Sequence, residues 1–261
     1  MKGIILAGGL GTRLSPLTKV ANKQLLPVFD KPLIYYPLAT LMLANIRNFL
    51  IVTNPNQVSR FIDLLGDGSN LGVSIKYKIQ DRPNGIAESL LIAEEFLSGS
   101  KSVLALGDNL FHGSGLGRRL EGFSNLTGAQ VFGYHVNDPS SYGIATLDNN
   151  GTIVSLQEKP KNSDSQIAIP GLYFFDETAV ARAKVLQPSG RGELEILDLL
   201  KSYLQDSKLK LEMLPRGTAW FDSGTFNDLF EASSYVKIMQ ERTGERVGDP
   251  TEISRIRGWI G

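Results

Sequence analysis

The chain has 261 residues, enough for one large α/β domain or two small ones with a sizeable buried core. Its 27 Lys+Arg balance 27 Asp+Glu, so no overall field draws nucleic acid or an anionic membrane, and neither is expected as a partner. Cysteine is absent, which removes disulfides, thiolate nucleophiles and thiolate zinc sites and suits a reducing cytoplasmic setting.

In chain order, residues 2–6 read as a short buried strand, too brief and too glycine-punctuated for a signal segment. A proline-opened helix is expected over 32–46, a strand over 48–53, a helix over 56–65 and a strand over 73–79. A helix over 86–97 and an apolar strand over 102–106 complete this alternation. It predicts right-handed βαβ units and a Rossmann-like, mostly parallel sheet with helices on both faces. Ligands then belong at the carboxyl ends of its strands. The second half mixes strands over 130–135, 143–147, 152–158 and 167–175, with Asp148-Asn149-Asn150-Gly151 as a hairpin turn. Helices follow over 177–186 and 193–205, then a strand over 208–214 and a long helix over 226–242. No repeat, linker or low-complexity tract interrupts this order, and no stretch reaches the about 18 apolar residues of a membrane span. The simplest account is one domain over 1–261 with an inserted β region: a core over 1–225 and a C-terminal helical segment over 226–261.

The first strand runs into Gly8-Gly9-Leu10-Gly11-Thr12-Arg13. Glycines let the backbone approach an anion closely, and successive N–H groups make an anion-binding concavity. Arg13 adds a guanidinium fork and Lys23 a mobile ammonium, as a polyphosphate requires. No Walker A sequence is present, and Leu14 stands where a dinucleotide fingerprint needs its third glycine. Asp30 lies at about the distance of that motif's acidic residue, but it reads as part of a turn before a helix. A glycine turn with no ligand is the alternative.

Asp108 follows the apolar 103–106 run at a strand's C-terminal end and suits Mg²⁺, or else an Asx turn or helix cap. Asp222, in Trp220-Phe221-Asp222-Ser223-Gly224-Thr225, is not needed as a cap because Ser223 and Thr225 can serve. Spacing alone does not pair it with Asp108. Glu158-Lys159-Pro160 places an acid beside a base at a strand end; both can serve one ligand only where the strand bends or stops. Glu158 would then accept sugar hydroxyls and Lys159 pair with phosphate, the alternative being an exposed ion pair worth little. His112 and His135 are the only histidines and read as structural or surface residues, so a Ser–His–Asp relay is not expected. That suits transfer to a phosphate oxygen, which is already ionised at neutral pH and needs no general base.

Taken together, these segments resemble the sugar-phosphate nucleotidylyltransferases, most closely the short glucose-1-phosphate thymidylyltransferases without an acyltransferase domain. The likeness runs from Lys2 to about Gly258. It rests on residues 6–14, Lys23-Gln24-Leu25-Leu26-Pro27, Gly66-Asp67-Gly68, 106–111, 134–142, Glu158-Lys159-Pro160, Gly171-Leu172-Tyr173-Phe174, 191–196 and 220–225. The resemblance implies transfer of a thymidylyl group from dTTP to glucose-1-phosphate, giving dTDP-glucose and pyrophosphate by in-line attack without a covalent intermediate. By the same resemblance, Gly8, Gly9, Gly11, Thr12 and Arg13 hold the triphosphate, Arg13 stabilises the transition state and Lys23 neutralises the α-phosphate. Gln80, Pro83 and Gly85 frame the pyrimidine, and Asp108 and Asp222 hold Mg²⁺. Tyr142, Gly143, Glu158, Lys159 and Ile169 line the sugar-phosphate pocket, with Lys159 on its phosphate. A homo-oligomer is implied as well.

Three departures bear on that transfer. Charged and amide residues stand between Gln80 and Gly85, which leaves UTP as an alternative to dTTP; a different sugar phosphate on the same fold is the other close alternative. Pro170 is awkward inside a strand. The chain ends before the family's last helices, so Trp259 and Ile260 should fold back on the core or meet a second subunit. From that tail the expectation is a dimer rather than the family's tetramer, with weakened product regulation. A non-catalytic nucleotide-sugar sensor is the alternative of another class; intact Arg13, Lys23, Asp108, Lys159 and Asp222 argue against it.

Overall fold

β-branched and aliphatic residues with no interior proline give β1 (Lys2–Ala7), which the computed structural model, describing residues 1–261, buries along most of its length. In chain order the strands continue as β2 (Pro27–Val28), β3 (Lys31–Pro32), β4 (Asn48–Thr53), β5 (Ser74–Ile79), β6 (Ser102–Leu106) and β7 (Leu110–His112). They are followed by β8 (Ala129–His135), β9 (Gly143–Leu147), β10 (Ile153–Glu158), β11 (Ile167–Ala168), β12 (Leu172–Phe175), β13 (Leu209–Met213) and β14 (Ala219–Phe221). The helices are α1 (Tyr35–Leu43), α2 (Val58–Leu65), α3 (Glu88–Ile92), α4 (Glu94–Leu97), α5 (Leu116–Glu121), α6 (Ala179–Lys184), α7 (Ile196–Gln205), α8 (Phe226–Thr243) and α9 (Pro250–Ile256).

The chain divides into two units. A core unit comprises Lys2–Pro83, Ala105–Gly122 and Gly217–Gly261, and an inserted unit comprises Asn84–Leu104 and Phe123–Arg216. In the core unit β1 pairs with β4 and β4 with β5, all parallel, in the order β1-β4-β5. Ile4, Ile5 and residues 49–52 are buried, as strands covered on both faces require. A second apolar cluster joins Val28, Leu33, Tyr36 and Leu110 to Ala232, Val236 and Val247. In the inserted unit the order is β10-β9-β11-β8-β12, with antiparallel pairs throughout, while β13 adds to β8 in parallel. The mixture of parallel and antiparallel pairing is the one expected. No helix is long and apolar enough to cross a membrane.

Several expected elements change bounds for identifiable reasons. The helix expected from residue 32 begins at Tyr35, because Lys31–Pro32 pairs with Pro27–Val28 across a turn in which Phe29 has φ 56°. Residues 86–97 form two short helices joined at Ala93, whose ψ of −1° opens the helical path. The strand expected over 167–175 breaks at Pro170: proline offers no N–H, and Leu172 N turns back to the Pro170 carbonyl at 2.7 Å. The elements α5, α9, β7 and β14 were not expected from the sequence. Trp259, expected to lack a covering helix, folds back on the core unit: its ring lies under the Arg47 guanidinium at 5.0 Å, and its backbone sits against Gly72.

Candidate active site

The core unit gathers the glycine loop, Lys23, Gln80 and both aspartates. After β1 the Ala7 carbonyl is held by Thr53 Oγ1 at 3.0 Å and Asn22 Nδ2 at 3.2 Å, which fixes where the loop begins. Gly8 abuts Gln80 so closely that a Cβ there would lie 2.9 Å from Gln80 Oε1. Gln80 itself is buried, and its N–H extends the β4–β5 ladder to Thr53 O at 2.8 Å. Gly11 has φ 60°, and a Cβ would meet Thr18 Cγ2 at 2.8 Å and Lys23 Cβ at 3.1 Å, so two side chains occupy its free face. Gly9 faces open space, and Thr12 and Arg13 follow, exposed, on a 3-10 turn. Pro83 is also exposed.

Asp108 and Asp222 are brought together by strand pairing. β14 runs antiparallel to β7 with Phe221 opposite Leu110 and Trp220 opposite Phe111. Asp222, the residue after Phe221, therefore falls at the same end of this ladder as Asp108, two residues before Leu110. Lys23 Nζ lies 2.5 Å from Asp108 Oδ2 and donates to the Asp222 carbonyl at 3.3 Å. The other Asp108 oxygen accepts from Asn109 Nδ2 at 2.9 Å, and Asn109 Oδ1 accepts from Trp220 Nε1 at 2.7 Å. Burial raises the Asp222 carboxyl above its ordinary range, and the charges of Asp108 and Asp228 add to it, partly offset by Lys23. Gly224 leaves room for Arg13, since a Cβ there would lie 2.8 Å from Arg13 Nη2 and 3.4 Å from Asp222 Oδ2.

These aspartates form a pair of hard oxygen donors, and no group of three or more Asp, Glu, His or Cys converges anywhere in the chain. A pair suits Mg²⁺, which keeps waters and takes phosphate oxygens to complete its shell. Lys23 stands at Asp108 as a cation already does in such a site. The residues fit the metal.

The other expected site residues, from Gly85 to Ile169, belong to the inserted unit. Gly143 pairs with Glu158 across β9 and β10, and Ile169 N donates to Gly143 O at 2.8 Å. Lys159 N donates to Tyr142 O at 2.9 Å. β10 stops at Glu158, and Lys159 takes φ 43°, turning its ammonium back to within 3.6 Å of Glu158 Oε1. The strand end thus sets an acid and a base side by side, where an unbroken strand would point them apart. Gly85 has φ 107° and lies against the Leu194 backbone.

Asn109, Trp220, Gly224 and Arg191 support these groups but were not singled out for chemistry in the sequence. Only position within the matched motifs 106–111, 191–196 and 220–225 could have pointed to them. His112 contacts Tyr235, Nδ1 to hydroxyl at 2.7 Å, and burial lowers its pKa. Asp30 lies in the β2–β3 turn, paired with Lys31 at 2.5 Å.

Residues 2–238 match the nucleotidyl transferase family. A glucose-1-phosphate thymidylyltransferase of Mycolicibacterium smegmatis is 49% identical over 260 residues, covering 100% of this chain and 90% of that protein. One of Xanthomonas campestris pv. campestris is 51% identical, over 99% of this chain and 88% of that protein. Among solved structures, a Bacillus anthracis protein assigned as a glucose-1-phosphate thymidylyltransferase, in complex with sucrose, superposes with a TM-score of 0.84 and 39% identity. That match covers 90% of this chain and 94% of the other. A UDP-glucose pyrophosphorylase complexed with UDP-glucose shares the fold, with a TM-score of 0.79 at 24% identity over 91% of this chain and 98% of the other. A chain matched over nine-tenths of its length, with its glycine loop, lysine and paired aspartates assembled by its own strand register, belongs to the nucleotidyl transferase family.

Proposed function

We propose that this nucleotidyltransferase transfers a thymidylyl group from dTTP to glucose-1-phosphate, giving dTDP-glucose and pyrophosphate. The observation that carries the reading is Lys23, which bridges the Asp108 carboxylate and the Asp222 backbone beside Gly11 of the phosphate-type loop. Near-half identity to named thymidylyltransferases supports the choice of substrates.

In this reading Gly8, Gly9, Gly11 and Thr12 cradle the triphosphate through backbone N–H groups. Arg13, seated over Gly224, meets charge that develops on the departing pyrophosphate. Lys23 exchanges part of its contact with Asp108 for an α-phosphate oxygen. Gln80 hydrogen-bonds the base edge, with Pro83 and Gly85 framing it. Glu158 accepts sugar hydroxyls, Lys159 neutralises the sugar phosphate, and Tyr142, Gly143 and Ile169 shape the pocket around it. The sugar-phosphate oxygen attacks the α-phosphorus in line and the bond to pyrophosphate breaks, so no side chain carries the nucleotide and no general base is required. Asp108 and Asp222 would hold Mg²⁺, which supplies charge neutralisation to the phosphates when bound. We assign residues 1–225 as the catalytic core and 226–261 as its helical support, acting as one catalytic domain in a cytoplasmic homo-oligomer.

Incubating the purified chain with dTTP, glucose-1-phosphate and Mg²⁺ should yield dTDP-glucose by mass spectrometry. Recovery of both substrates unchanged would refute the assignment.

A further inference from the structure

Of the three glycines in the phosphate-type loop, only Gly11 lies in the left-handed region, at φ 60° and ψ 35°. Its carbonyl is used twice. Leu14 N donates to it at 2.9 Å, closing a 3-10 turn, and Thr18 Oγ1 donates to it at 2.9 Å from four residues farther on. With both lone pairs engaged, the orientation of this carbonyl is fixed. A trans peptide is planar, so its C=O and N–H point in opposite directions. Holding the Gly11 carbonyl toward Leu14 and Thr18 therefore aims the Thr12 N–H the other way, at a residue that is exposed.

Thr18 meets Gly11 with the second arm of its side chain as well. Its Cγ2 lies 2.8 Å from where a Gly11 Cβ would stand, beside Lys23 Cβ at 3.1 Å. A β-branched side chain is stiff at χ1, so hydroxyl and methyl reach Gly11 in one fixed arrangement. Thr18 sits on the 3-10 turn Leu17–Lys19, and the next residue is tied to α2, where Arg60 Nη1 donates to Val20 O at 2.6 Å. Leu17 and Val20 are exposed. Polar ties, more than burial, hold this segment against the loop.

We propose that Thr18 is a positioning residue for the triphosphate: its hydroxyl latches the Gly11 carbonyl, so that the loop meets dTTP with the Thr12 N–H already aimed. The proposal rests on the triphosphate assignment made above. Without the hydroxyl, Leu14 N alone holds the carbonyl, the Gly11–Thr12 peptide gains freedom, and dTTP must order it on binding. That cost falls on ground state and transition state alike, so it raises KM and leaves kcat nearly unchanged.

Steady-state kinetics and calorimetric titration with dTTP on Thr18→Val and Thr18→Ser test this. Valine keeps the methyl and loses the hydroxyl; serine does the reverse. Thr18→Val should raise KM and Kd for dTTP about fivefold, with kcat and the KM for glucose-1-phosphate each within about twofold of wild type. Thr18→Ser should stay within about twofold of wild type in every constant. An unchanged dTTP KM in folded Thr18→Val overturns the proposal, as does a loss confined to kcat. The opposite pattern, with serine impaired and valine normal, assigns Thr18 a packing role and overturns it too. If Thr18→Val does not fold, Thr18→Ala is measured in its place, and failure of both to fold overturns the latch in favour of a structural role. If the wild type turns over only another triphosphate, the substrate assignment fails while the same pattern is read with that triphosphate. If the wild type binds dTTP but turns over nothing, the catalytic reading fails and the latch is judged on Kd alone. Absence of binding to any triphosphate overturns both.

Discussion

Arg13 owes its seat to a missing side chain. The clash that a Cβ at Gly224 would make is with the far end of the Arg13 guanidinium, at 2.8 Å, so Gly224→Ala should push the arginine aside and leave the backbone intact. We expect kcat to fall toward that of Arg13→Ala, itself down by two or more orders of magnitude, because one preorganised charge donor is worth about 3–4 kcal/mol in the transition state. Both variants should melt near wild type, and normal turnover in Arg13→Ala would remove it from the mechanism. Asp222 poses the opposite balance. Burial and the neighbouring Asp108 raise its carboxyl pKa, so its ionised form is held at a cost when no metal is bound. Asp222→Asn should therefore melt higher than wild type in chelator, lose the rise in melting temperature that Mg²⁺ gives the wild type, and show no metal-dependent turnover. Thermal melts with and without Mg²⁺ decide this; a lower melting temperature for the variant in chelator would show that Asp222 is a structural cap.

At the scale of elements, the inserted unit is anchored by a carboxylate just past β12. Burial pushes Asp176 up, but hydrogen bonds from Thr178, Gly128 N at 2.8 Å and Tyr203 at 2.9 Å outweigh it and hold its pKa below 3.8. A carboxyl depressed in the folded state contributes stability that is present above pH 3.8 and lost as pH falls through the folded value. Asp176→Ala should lose about 3 kcal/mol at neutral pH, since it leaves buried donors unpaired. Its stability should also fall less steeply than wild type's in acid; urea midpoints from pH 7 to 3 measure both, and parallel curves would contradict the assignment. Long elements of this kind were legible in the sequence. The strands over 48–53, 102–106 and 143–147 have the bounds that apolar runs and turn residues predicted. The three-residue strands β7 and β14 were not, because so short a stretch carries no readable alternation. Their register is what joins Asp108 to Asp222, so that pairing could be reached from the sequence only through family resemblance. The positive φ of Lys159, which turns it beside Glu158, was visible only as a need for the strand to stop before Pro160.

For the whole molecule, balanced charge and absent cysteine narrowed the chemistry, and the glycine loop pointed to polyphosphate, but neither chooses a base. Asp81 and Arg82, both exposed, stand between Gln80 and Pro83, and they give no apolar wall that would distinguish thymine strongly from uracil. The two bases differ by one methyl, worth about 1–3 kcal/mol in discrimination. We expect kcat/KM for dTTP to exceed that for UTP by about 10- to 100-fold, and a preference for UTP would contradict the base assignment while leaving the phosphate chemistry in place. The most direct test of Mg²⁺-dependent thymidylyl transfer is continuous pyrophosphate release by the full chain with dTTP and glucose-1-phosphate. Steady release is expected that needs both substrates, stops on addition of EDTA and returns with excess Mg²⁺. Release that continues in chelator, or that proceeds without glucose-1-phosphate, would contradict it.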